Sequence, residues 1–167
     1  MPQESLKPGL RVALRLHEIG DASPYRLSFA GKGKSGGSFG FMQGDLAAGQ
    51  NEVTQTFRTA MAAAGMNAAQ IDSLIQRLSV HLIVNPLSPM ETDQVNGALL
   101  ASRQLVDQMD EFILQNVYGG LDRCVATAGQ ASRSIAPKAQ IYMALWINMT
   151  GAGREGTSEQ PLPELLQ

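Results

Sequence analysis

The chain has 167 residues, 44% of them apolar, enough for one full hydrophobic core, and reads as a single domain over residues 1–150 followed by a polar tail over 151–167. Its formal charge is −2 with acids and bases interspersed, so no face of one sign is available for nucleic acid. One cysteine, Cys124, excludes an intramolecular disulfide, residues 1–9 lack the apolar stretch of a signal peptide, and no apolar run reaches the roughly 18 to 20 residues of a membrane span; synthesis in the cytoplasm and no membrane span are therefore expected.

From Leu10 to Ile19, the residues Leu10, Ala13, Leu14 and His17 share one helical face with Val12, Leu16 and Ile19 beside it, which predicts a mostly buried helix stopped by Gly20. The helical period vanishes between Tyr25 and Gly44, where glycines intervene between Leu27, Phe29, Phe39 and Phe41. That pattern predicts a small twisted β-hairpin with its tip near Lys32 to Gly37. Val53, Phe57, Ala60, Met61 and Ala64 then predict a helix ending at Gly65, and Ile71, Leu74, Ile75 and Leu78 a second one beginning after Asn67.

After a turn-rich segment at Asn85 to Pro89, Thr92 is expected to cap a long helix. That helix carries Val95, Leu99, Val106, Met109 and Ile113 on one side and closes at Gly119 and Gly120, with a shorter helix following through Leu121, Cys124 and Ala128. Pro137 suits the first position of a last helix. Its Ile141, Tyr142, Met143, Leu145, Trp146 and Met149 are apolar on every side, so it is expected to run buried through the middle of the domain. The fold class is α+β, mainly α.

Glu18 falls near the end of the first helix, where the peptide dipoles disfavour a further negative charge. Partial burial between Leu14 and Ile19 acts in the same sense, and a carboxyl kept protonated near neutrality is what a general acid requires. The plainer reading is a side chain paired with Arg15, one turn back.

The segment after Glu18-Ile19-Gly20 directs the choice. The helix ending, the glycine-rich stretch Tyr25 to Asp45 and its close Ser38-Phe39-Gly40-Phe41-Met42-Gln43 resemble the catalytic core of the lysozyme superfamily. The close is similar to the Gly-Leu-Met-Gln segment of lytic transglycosylases and the Thr-Ile-Gly segment of phage-type lysozymes, while Gly40-Phe41 through Gly44-Asp45 is similar to the hairpin end of bacterial chitosanases. The resemblance implies a lysozyme-like domain that cleaves β-1,4-linked amino-sugar polymers, above all peptidoglycan. It further implies that Glu18 protonates the glycosidic oxygen, that the hairpin with Gly40 and Phe41 lines one wall of the cleft, and that Ser35 or Ser38 positions the attacking water. Gln43 would orient backbone or sugar hydroxyls, or serve only as a hydrogen-bonding residue of the hairpin. Tyr25, at the hairpin base, is the candidate sugar contact.

The second carboxylate of a glycosidase has no clear match. Asp21 directly follows the helix stop, as a turn residue does, and Asp45 either caps the next helix or acts as the base. With neither, the site works with one carboxyl, as in a lytic transglycosylase whose substrate hydroxyl replaces water. The competing readings are a chitosanase-like hydrolase and a non-catalytic domain of the same shape that binds glycan or protein.

Lys32 to Ser35 imitates the end of a phosphate-binding loop, but Ser28 stands where its first glycine belongs and no helix follows. His17, His81 and Cys124 are scattered without ligand spacing, so neither metal nor cofactor is expected. His17, about 100° from Glu18 on an ideal helix, is not expected to share its proton. Action on a cell wall would call for an export partner or a holin-like route.

Overall fold

A computed structural model describes residues 6–30, 35–81, 84–130 and 135–150. The hairpin tip at Lys32 to Lys34 and the tail over 151–167 lie outside the described residues. The architecture is α+β and mainly α: α1 (Lys7–Glu18), β1 (Ser28–Phe29), β2 (Gly37–Phe39), β3 (Gly44–Asp45), α2 (Asn51–Ala63), α3 (Ala68–Leu78), α4 (Pro89–Ala101), α5 (Arg103–Gln130) and α6 (Pro137–Thr150). Two compact units divide these elements, one comprising Met1–Gly20 and Phe112–Gln167, the other Asp21–Glu111.

In the Asp21–Glu111 unit, β1 pairs antiparallel with β2 as a hairpin, Ser28 opposite Ser38. A third strand not foreseen from the sequence, β3, completes the sheet on the other side of β2 with Ser38 opposite Asp45. Phe41 is thus not in a strand but in the turn between β2 and β3. The helices follow the apolar periods: Val53, Phe57, Ala60 and Met61 of α2 and Ile71, Leu74 and Leu78 of α3 are all buried. Gly65 leaves the helix with φ +87°, as a stop residue does.

Both α3 and α4 begin with reciprocal capping boxes, Asn67 with Gln70 and Ser88 with Glu91. Thr92 therefore does not cap: Ser88 supplies the side-chain oxygen, Pro89 takes the first turn, and the Thr92 hydroxyl donates back to Ser88 O at 3.0 Å. The expected long helix is also two, interrupted at Ser102, whose N–H still bonds Ala98 O while its carbonyl accepts from Leu105 and Val106. It does not close at Gly119 and Gly120 either. α5 runs through both, because Val117, Tyr118 and Leu121 are buried around them and that burial outweighs the ~1 kcal/mol that each glycine costs a helix.

In the other unit α1 packs against α6, with Leu10 and Leu14 buried on one and Ala144 and Ile147 on the other. α1 starts at Lys7, with Pro8 in its first turn, and yields to Gly20 at φ +55°. Neither helix is as enclosed as its composition predicts. Val12 and Leu16 of α1 are 58% and 60% exposed, and Tyr142 and Met149 of α6 are 62% and 66% exposed. α6 begins at Pro137 as expected but is not a buried central helix: only one side of it is covered, and its apolar surround reflects composition rather than enclosure. Cys124 is buried, and burial pushes its thiol upward from the ordinary value.

Candidate functional site

Glu18 is the last residue of α1, with its side chain 18% exposed. Its Oε1 accepts a hydrogen bond from Asn148 Nδ2 of α6 at 2.9 Å. His17 Nδ1 lies 3.1 Å from the same oxygen, which corrects the expectation that the two side chains diverge. The 100° step of an ideal helix separates their Cβ directions, but at a helix end both chains are long enough to fold toward each other. Arg15 is not a partner, and Oε2 makes no hydrogen bond among the described residues. The arrangement holds one carboxyl oxygen of Glu18 between His17 and Asn148.

The Gly40–Gln43 turn between β2 and β3 belongs to the other unit and is built from backbone and side-chain bonds. Gly40 N donates to Pro24 O at 2.8 Å, and Gln43, with φ +51°, returns its amide to Gly40 O at 2.8 Å. Ser28 Oγ donates to Gln43 Oε1, so the glutamine ties β1 to the turn in the manner of a hairpin-bonding residue. Asp110, fully buried on α5, accepts Phe41 N at 2.8 Å and Met42 N at 3.0 Å. Gly40 is required twice over: its φ is +82°, and a Cβ there would stand 2.3 Å from Asp110 Oδ1.

Asp110 is the residue that sequence reasoning missed. A signal for it exists, since it comes four residues after Val106 and four before Leu114, both buried, and so falls on the core face of α5. A carboxylate there needs donors, and the turn supplies them.

Tyr25 is half-buried, and its hydroxyl donates to Asp107 Oδ1 at 3.0 Å. Burial first, then this bond, raises the phenol above its ordinary value. Leu27 N donates to Asn96 of α4 at 2.9 Å, so the strand edge is pinned by side chains from α4 and α5. Asp45 behaves as a cap: its Oδ1 accepts Ala47 N at 2.8 Å and Gly36 N at 3.0 Å. Ser38 is 6% exposed in the middle strand, whereas Ser35 is half-buried just ahead of Gly36.

The structure therefore joins Gly40, Phe41, Gln43 and Ser38 in one sheet-and-turn framework, with Asp45 and Ser35 at its margin, and sets Glu18 with His17 and Asn148 in the other unit. No group of His, Cys, Asp and Glu suited to a metal occurs among the described residues, and no described helix is long and apolar enough to cross a membrane. No protein-family model matches the chain, and neither a curated protein nor a solved structure matches it.

Proposed function

We propose that the chain cleaves β-1,4-linked amino-sugar polymers, with peptidoglycan as the substrate and Glu18 as the general acid. The observation that carries this reading is the asymmetric Glu18 carboxyl, sheltered at a helix end, with Oε1 held by Asn148 and Oε2 open. In the step itself the proton on Oε2 passes to the glycosidic oxygen and the sugar C–O bond breaks. The electron pair leaves with that oxygen, and the positive charge is left on the sugar ring.

Asp45, bonded to two backbone N–H groups, is a weak candidate for a base. A one-carboxyl site then favours capture of the cation by a hydroxyl of the substrate, whose proton passes to the Glu18 carboxylate left by the first step, the lytic transglycosylase outcome, over attack by an activated water. Within the Asp21–Glu111 unit Tyr25 and Gln43 are the proposed saccharide contacts, whereas Phe41, 4% exposed, is enclosed in a turn whose Phe41 and Met42 N–H groups donate to Asp110.

Digesting purified peptidoglycan and weighing the products tests the proposal. Anhydro ends mark transglycosylation, reducing ends mark hydrolysis, and Glu18→Gln is expected to abolish release while melting like the wild type. The commitment of Asp45 to capping also favours a second reading, a non-catalytic domain that binds glycan or protein. That reading prevails if the wild-type chain binds peptidoglycan, chitin or chitosan and releases nothing between about pH 4 and 8.

A further inference from the structure

The last turn of α1 stays helical to its end, with Ile19 N donating to Arg15 O at 3.0 Å and Gly20 N to Leu16 O at 3.2 Å. His17 and Glu18 leave that turn as neighbours, and a third residue meets them from α6. Glu18 Oε1 lies 3.1 Å from His17 Nδ1 and 2.9 Å from Asn148 Nδ2. Glu18 Oε2 and His17 Nε2 make no hydrogen bond among the described residues. Nor does any other charged side chain among them come within ion-pair distance of either residue.

A neutral imidazole carries its proton on one nitrogen or the other, and the group each nitrogen faces decides which. An Nε2–H ring would face Glu18 with the bare lone pair of Nδ1. The proton of the Glu18 carboxyl would then be drawn onto Oε1 and bonded into His17, out of reach of a substrate. An Nδ1–H ring does the reverse, donating to Oε1 and leaving Oε2 as the oxygen that bears the proton. Asn148 discriminates between the two forms. Its amide nitrogen only donates, so Oε1 already accepts one hydrogen bond, as the carbonyl-type oxygen of a protonated carboxyl does, and a second donor suits that same oxygen.

We propose that His17 is a positioning residue for Glu18, locked in the Nδ1–H tautomer so that, together with Asn148, it saturates Oε1 and keeps the acid's proton on Oε2. This rests on the reading of Glu18 as the general acid. Histidine suits the task where a lysine or arginine would not. A permanent cation at that distance favours the ionised carboxylate, whereas a neutral imidazole donates a hydrogen bond without adding charge. The outward nitrogen, Nε2, is left as an acceptor on a side chain that is 42% exposed.

Long-range proton–nitrogen NMR of the His17 ring in the full chain, over about pH 6 to 8, reads the tautomer directly. The expected result is an Nδ1–H ring in the wild type that changes in Glu18→Ala to the Nε2–H form a free histidine side chain favours. An Nε2–H ring in the wild type, or a tautomer that Glu18→Ala leaves as it was, overturns the proposal. In peptidoglycan digests His17→Ala is expected to lower kcat about tenfold with KM and the thermal melt little changed. His17→Asn, whose amide nitrogen stands as many bonds from the backbone as Nδ1, is expected to restore most of that loss. Turnover by His17→Ala at the wild-type rate, or by His17→Asn as slow as the alanine variant, also overturns the proposal. If the wild type releases no product, the Glu18 reading fails on that result alone, and the NMR arm still upholds or overturns the lock on His17.

Discussion

Asp110 accepts two backbone N–H groups with no exposure to solvent, so Asp110→Ala leaves both donors in the interior without a partner. At about 1–3 kcal/mol for each buried donor, the variant is expected to lose about 3 kcal/mol or more, read as a fall in the urea midpoint. Asp110→Asn keeps one acceptor oxygen and is expected to lose less. Gly40→Ala meets both a positive φ and the carboxylate itself, and the same measurement is expected to show a comparable loss. For the proposed chemistry, Asn148→Ala removes the amide that orients Glu18, and kcat is expected to drop about ten- to a hundredfold with KM little changed. Gly40, Phe41 and Gln43 were visible as a motif in the sequence because they are adjacent in it. Asp110 and Asn148 were not, because a single polar residue in a helical stretch does not announce a partner elsewhere in the chain.

Among the elements, the start of α4 links capping to acid stability. The Arg77 hydrogen bond first, then the bonds from Ser88, bring the Glu91 carboxyl down to about 2 from an ordinary 4.5. Because the folded-state value is the lower one, the stabilisation is present above pH 4.5 and is lost as pH falls through about 2. Glu91→Gln is therefore expected to flatten the acid limb of a melting-temperature profile over that window, and Ser88→Ala to cost about 1 kcal/mol at neutral pH. Gly97 lies within α4, where an added methyl group would meet nothing within 4 Å, and Gly119 lies within α5 with Arg123 Nη1 at an ordinary 3.6 Å from such a group. Gly97→Ala and Gly119→Ala are each expected to raise stability by about 0.5–1 kcal/mol in denaturant titrations. α2 and α3 were legible because their apolar residues repeat with the helical period and a glycine or a capping pair marks their limits. The break at Ser102 was not, since serine is neutral in a helix, and the glycine pair misled because propensity is a weak force beside the burial of Tyr118 and Leu121.

At the scale of the molecule, Cys124 reports on the unit that contains it. The thiol is buried and its ionisation is opposed by that burial, so a thiol reagent is expected to label it slowly in the native chain and fast in denaturant, a contrast that labelling kinetics would measure. The division into two units was hidden from sequence reasoning, since the apolar pattern of α5 continues without interruption from one unit into the other. The unit that holds Glu18 is also discontinuous along the chain: Tyr118 bonds Lys7 O across 111 residues, and Asn148 bonds Glu18 across 130. During translation, then, α1 emerges early and must wait without its lasting neighbours while the Asp21–Glu111 segment is made and folded. The carboxyl of Glu18 acquires its amide only when α6 has left the ribosome, so a nascent chain carries that side chain before it carries the partner that holds it.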